Sequence, residues 1–246
     1  MVTIAAPPGC IPPTAGATAP ARLQIQPKPV FTTVKAGTQL RRLYRPSRFC
    51  PLPTTFRFNG PRARFDHHRI DITKANWISF PDEDAVPVPA NGQVGDDPDR
   101  GILYAAFSLS CCVVEVFEAF EINDPRGCLV AKFTLTRDLK LLDLRKNGAM
   151  RVGTVTALAK RRHPMSQAWS RYFYEDPAFA GIDGLYYNAA HNDEAAVALY
   201  ERSQDALSCP PAHLEGLDTR KNRLPLLRIA DAHNLTLDPD YLTMFR

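Results

Sequence analysis

The sequence predicts an α+β fold, and three observations lead there. Short apolar stretches with strand character recur between Leu40 and Tyr200. Longer stretches with helical spacing interrupt them near residues 108–120 and 154–176. The two kinds of element do not alternate with the regular spacing of βαβ units, and no internal repeat is visible, which argues against a doubly wound sheet. The length of 246 residues permits one large domain or two small ones.

The elements follow in chain order. Residues 1–30 hold seven prolines and only two charges, Arg22 and Lys28. Proline at that density blocks helix and central strand. The segment is read as a mostly disordered leader or a tail wrapped on the domain, with a single folded domain spanning 31–246. "GTQLRRLYRPSRF" reads as a turn, a strand from Leu40 and a loop at Pro46. A turn is expected at Asn59-Gly60-Pro61, with a short extended piece after it. Residues 81–100 carry four prolines and six acids and read as a solvated acidic loop. Ile102–Ala106 is a buried strand. "SLSCCVVEVFEAF" is a helix capped by Ser108 or Ser110, with Val113, Val116, Phe117 and Phe120 as its buried stripe. "CLVAKFTLTRDLKLLDLR" gives one or two strands and residues 154–176 a helical region. "GIDGLYYNAA" and "AAVALYER" give two more strands, and the C-terminal stretch a short helix and coil.

Composition narrows the function classes. The hydrophobic share of 45% and charged share of 23% are those of an ordinary globular protein. No apolar run reaches the length of a membrane span, and no secretory signal pattern opens the chain, so a cytoplasmic location is expected. Six cysteines include the adjacent pair Cys111 and Cys112 but no C-x-x-C. That gives a zinc site little support and fits buried thiols. His67 and His68 point to opposite faces of an extended chain and chelate poorly together, so they read as surface or loop histidines. Ser166 lacks a nucleophile-elbow frame, and neither a P-loop nor a dinucleotide fingerprint is present.

Charge distribution says more than the net charge of +4. From Arg41 to Arg69 there are eight arginines, no lysine and one acid, Asp66. Such a cluster favours bidentate recognition of phosphate or carboxylate. Glu115 sits one turn after a buried strand among apolar neighbours. It is either an exposed residue or a carboxylate at a cleft, with Tyr104 as an aromatic wall beside it. Arginines, a cleft carboxylate and aromatic walls suit NAD⁺, and other nucleotides as well. A nucleic-acid module using the arginine cluster has no helix-turn-helix or aromatic–basic pattern behind it, so direct nucleic-acid binding is not expected.

The pieces "GTQLRRLYR", "RARFD", "GILYAAFSLSCCVVEVFEAF", "SQAWSRYFY" and "DGLYYNAAHND…VALYER" together resemble the RES-domain family, over roughly residues 37–205. The resemblance implies a mixed, strongly bent sheet with flanking helices, similar to ADP-ribosyltransferases. It implies a toxin of a type II toxin–antitoxin pair that consumes NAD⁺ by phosphorolysis or hydrolysis of the nicotinamide–ribose bond. NAD⁺ is then a substrate, inorganic phosphate a candidate co-substrate, and no cofactor or metal is required. A helix-turn-helix, Xre-like antitoxin is the expected partner, and a homodimer is compatible with the resemblance. The family arginines fall on Arg42 and Arg64, its tyrosine on Tyr104 and its glutamate on Glu115. Arg42, Glu115 and Tyr104 are thus the expected catalytic residues, with Arg64, Ala189 and His191 at the substrate. The family serine position holds Ala189, with His191 two residues on as a candidate replacement. The alternative is a weakened member that binds NAD⁺, ADP-ribose or a protein partner without efficient turnover.

Overall fold

The computed structural model describes residues 6–7, 26–79, 85–117, 121–122, 125–238 and 241. Among them a nine-stranded sheet organises the chain. Its strands run in the spatial order Phe31–Val34, Leu139–Asp143, Gly184–Asn188, Ala195–Tyr200, Ile102–Ala106, Gln39–Tyr44 and Leu129–Leu135. Leu207–Ser208 and Leu214–Gly216 both lie against the last of these. One neighbouring pair, Leu139–Asp143 with Gly184–Asn188, is parallel; the other pairings are antiparallel.

Alternation along each strand sends successive side chains to two separate cores. Ile102, Tyr104 and Ala106 face one, and Leu103 and Ala105 the other; Ala196, Ala198 and Tyr200 alternate in the same way with Val197 and Leu199. The first core is closed by helices Leu109–Val116, His163–Glu175 and Arg220–Ala232. The second draws its buried residues from strands and connecting segments alone, so the sheet curls until its own strands meet across that face. The fold is α+β with a strongly bent sheet, as the sequence predicts. Gly184 permits the curl locally: a Cβ there would lie 2.2 Å from the Ala198 carbonyl oxygen.

Several expectations change. The helical region 154–176 is two elements, a 3₁₀ turn Thr156–Lys160 and the helix His163–Glu175, which starts with Pro164 in its first turn. On the helix Leu109–Val116 the buried residues are Cys111, Cys112, Val113 and Val114; Val116 is 48% exposed, and Phe120 lies outside the described residues. The acidic loop is not wholly solvated. Val86–Val88 pairs with Asn76–Ile78, Val86 is buried, and Asp97 is buried under Arg69. Residues 81–84 of that loop, and most of the proline-rich leader, lie outside the described residues. Ala6 does belong to the first core.

His67 and His68 are not surface residues: both are fully buried. His67 Nε2 lies 3.2 Å from Glu201, and its ring packs on Tyr174 and Tyr200. His68 lies against Gly60, where a Cβ would stand 2.3 Å from the imidazole. Burial lowers the pKa of both, that of His68 to about 4. No cluster of metal-ligating side chains occurs among the described residues.

Candidate active site

The strands Gln39–Tyr44 and Ile102–Ala106 meet through the single pair Arg41–Ala106 and then diverge. A cleft of about 270 Å³ opens at this divergence. Arg42, Leu43 and Tyr104–Ala106 form its floor; Ala63, Arg64, His163, Tyr187 and Glu115 stand around it. Glu115 is carried by a helix and Tyr104 and Tyr187 by strands, while the Ala63–Arg64 loop is pinned by side chains of the His163–Glu175 helix, which is what precise positioning requires.

Ser108 caps the helix that carries Glu115, accepting the Cys111 amide at 2.9 Å. Glu115 Oε1 accepts two hydrogen bonds from His191, from its backbone N–H at 3.1 Å and from Nδ1 at 2.8 Å. Oε2 has no partner among the described residues, and the side chain is 27% exposed. Glu115 is therefore a cleft carboxylate with one oxygen engaged and one available.

The stretch that carries His191 is a turn, not a continuation of strand. The strand ends at Asn188, and the turn closes through Ala189 N–H to the Glu194 carbonyl at 2.8 Å, with Asp193 at φ +57°. Its polar side chains lie along one face of the Glu115 helix. Glu194 takes a hydrogen bond from Ser108 at the N-cap, and His191 reaches Glu115 two turns later. Asp193 pairs with Lys160 on the other side. Ala189 is fully buried in the first core and does not line the cleft.

Tyr104 is fixed by Asp66. Its hydroxyl donates to Asp66 Oδ1 at 2.8 Å and accepts the Phe65 amide at 2.9 Å. Asp66 is fully buried; its two oxygens also accept from Arg57 Nη2, at 2.8 and 2.9 Å, and it takes the amides of Arg62 and Ala63. Burial alone would raise its pKa, but Arg57 and these amides outweigh burial and hold it below the usual carboxylate range. Burial, then Asp66, pushes the Tyr104 hydroxyl well up. Burial, then Glu115, does the same to Tyr187, whose hydroxyl has no hydrogen bond among the described residues. Both tyrosines are neutral donors at physiological pH. Cys111 and Cys112 line the same cleft as protonated thiols, burial raising Cys112 to about 12.

The arginine cluster is mostly structural. Arg42 donates to the carbonyls of Pro53 and Thr55 at 2.8 and 3.0 Å and contacts Cys50 Sγ at 3.1 Å. It shares the alternation of Leu40 and Tyr44, which face the second core, so its guanidinium anchors the 50–55 loop behind the cleft. Arg57 is spent on Asp66, Arg62 on Asn59, and Arg69 on Asp97 and Asp99. Arg64 differs. It lines the cleft with one nitrogen donating to the Arg161 carbonyl, and its loop is pinned from below by the His163–Glu175 helix. There Gln167 donates to Ala63 O at 3.0 Å and Ser170 to Phe65 O at 2.7 Å.

Of the six sequence-predicted residues, the cleft gathers Arg42, Arg64, Tyr104 and Glu115, with His191 bonded to Glu115 and Ala189 in the core. Tyr187 and His163 complete the lining and were not singled out from sequence. Tyr187 carries a signal, an aromatic within the strand stretch "GIDGLYYNAA" that faces the first core; His163 carries none.

The family model that matches is the RES domain, over residues 40–226. The chain belongs to the RES-domain family. A comparison with curated proteins finds no match. The RES domain is associated with NAD-processing enzymes and with toxin–antitoxin pairs. No helix among the described residues of this RES-domain chain is long and apolar enough to cross a membrane.

Proposed function

We propose that this RES-domain protein cleaves the nicotinamide–ribose bond of NAD⁺, as the toxin of a toxin–antitoxin pair. The observation that carries the proposal is Glu115, which shares the cleft with Tyr104, Tyr187 and Arg64 and whose Oε2 has no partner among the described residues. As nicotinamide departs with the bonding electrons, positive charge grows on the ribose C1″ and its ring oxygen. A carboxylate held about 5 Å away stabilises that charge by about 3 kcal/mol at an effective dielectric of about 20. Arg64, the cleft arginine with spare N–H groups, takes the pyrophosphate, and the Tyr187 hydroxyl donates to a ribose or carboxamide oxygen, while the Tyr104 proton stays on Asp66. Arg42 shapes the floor by holding the 50–55 loop.

Nicotinamide release by purified protein tests this. Glu115→Gln is expected to slow it roughly two- to threehundredfold, the rate equivalent of the lost stabilisation, with the fold intact. Absence of NAD⁺ loss by the wild type, with and without phosphate, would sink the reading. Alanine at the family serine position, Ala189, is the ground for the second reading: a protein that binds NAD⁺ or ADP-ribose without turnover. Calorimetric binding without nicotinamide release would establish it. Co-expression with the neighbouring gene's product tests the toxin role: growth arrest relieved by that product is the expected result.

A further inference from the structure

We infer that His191 is the base that activates water in this cleft, so that the protein is a hydrolase of NAD⁺ and not a phosphorylase. The inference rests on the reading just given and deepens it by naming the nucleophile. A carboxylate accepts hydrogen bonds and donates none, so Nδ1 of His191 carries the proton it shares with Glu115 Oε1 at 2.8 Å. In the neutral ring that tautomer leaves Nε2 as a lone pair, and Nε2 has no partner among the described residues. His191 does not itself line the cleft; it is bonded to Glu115, which does, and is 32% exposed, so water reaches it.

The ring's placement is built in. The turn's backbone N–H adds a second bond to the same Glu115 oxygen. The other acids of the turn are occupied elsewhere, Asp193 by Lys160 and Glu194 by Ser108 and Asn192, so His191 has Glu115 to itself. The arrangement is a carboxylate–imidazole dyad with its basic nitrogen outward.

The choice of nucleophile follows from what each one needs. Hydrogen phosphate dianion attacks with a lone pair it already has, whereas water must lose a proton as its C–O bond forms. A base therefore serves water. In the step, Nε2 takes one water proton, the water oxygen bonds to C1″, and the C1″–N bond breaks with its electron pair going to nicotinamide. The products are neutral nicotinamide, ADP-ribose and an imidazolium that returns its proton to solvent.

The experiment is turnover in H₂¹⁸O with and without inorganic phosphate, for wild type, His191→Ala and His191→Gln, with products resolved by mass spectrometry. Wild type is expected to give ¹⁸O-labelled ADP-ribose in both conditions. Both variants are expected to lose about a hundredfold in hydrolysis while any phosphorylated product persists. Glutamine can still hold Glu115 but is not a base, so wild-type hydrolysis by His191→Gln overturns the inference. So do equal losses of both products, or a wild type that yields chiefly ADP-ribose 1″-phosphate. A wild type that releases no nicotinamide at all overturns the proposed function first, and the base with it.

Discussion

Asp66→Asn tests how the cleft is held together. Asp66 accepts hydrogen bonds from Arg57, Tyr104 and two backbone amides at full burial. Asparagine keeps one carbonyl oxygen but turns an NH₂ group toward converging donors. It also leaves Arg57, only 18% exposed, without its counter-ion. Removing one partner of a buried pair costs about 3–5 kcal/mol, a large share of a total of about 5–15 kcal/mol. At roughly 2–4 °C per kcal/mol for a chain of this size, the melting temperature falls by about 6–20 °C. Tyr104→Phe removes one of the bonds and costs about 1–3 kcal/mol alone. In the Asp66→Asn background it costs less, because its partner is already lost. Urea and thermal unfolding of the two single variants and the double measure all three values. An Asp66→Asn protein within about 1 kcal/mol of wild type, or strict additivity with Tyr104→Phe, would refute the claim that Asp66 fixes the cleft wall.

Ala189→Ser places a hydroxyl at a fully buried site. It should lower stability by about 1–3 kcal/mol if unpaired and leave nicotinamide release per folded molecule unchanged; faster release would show that the position reaches substrate. Stability also depends on acid. His68 is held near pKa 4, against an ordinary value of 6.5. Between those values the unfolded chain binds a proton that the folded chain refuses, so stability falls as pH falls through this window, by about 3 kcal/mol. His67 adds in the same direction. Denaturation midpoints at pH 7 and pH 4.5 should differ, and His68→Gln should narrow the gap. Among the described thiols, the half-exposed Cys50 should react with iodoacetamide well before Cys111 and Cys112 in the native protein, as peptide mapping after a short pulse would show.

What could be read from sequence was what local pattern encodes. Short apolar runs mark Ile102–Ala106 and Ala195–Tyr200 as strands, and Ser108 or Ser110 marks the start of the Glu115 helix, the structure placing the cap at Ser108. What escaped was set by distant partners. The histidine pair looked solvent-facing because Glu201 and Tyr200 lie more than a hundred residues away. The arginine run looked like an anion site because its acceptors are backbone carbonyls and the distant acids Asp97 and Asp99, which no charge count in the cluster includes. The sequence leaves Glu115 as either an exposed residue or a cleft carboxylate; its pairing with His191 depends on the turn that bends back along the helix.

The C-terminal segment bears on where this protein can be cut. The family match ends at Leu226, inside the helix Arg220–Ala232, but the packing does not. Ala230 and Tyr241 are buried, the Tyr241 hydroxyl donates to the Leu217 carbonyl, and Thr236–Leu237 pairs with Glu121–Ile122 just past the Glu115 helix. Truncation at the shared boundary would sever a helix midway and uncover the core that seats Glu115. An expression boundary taken from family resemblance alone would therefore strip packed residues from the first core, and a truncated version meant for assay or crystallisation should reach at least Tyr241.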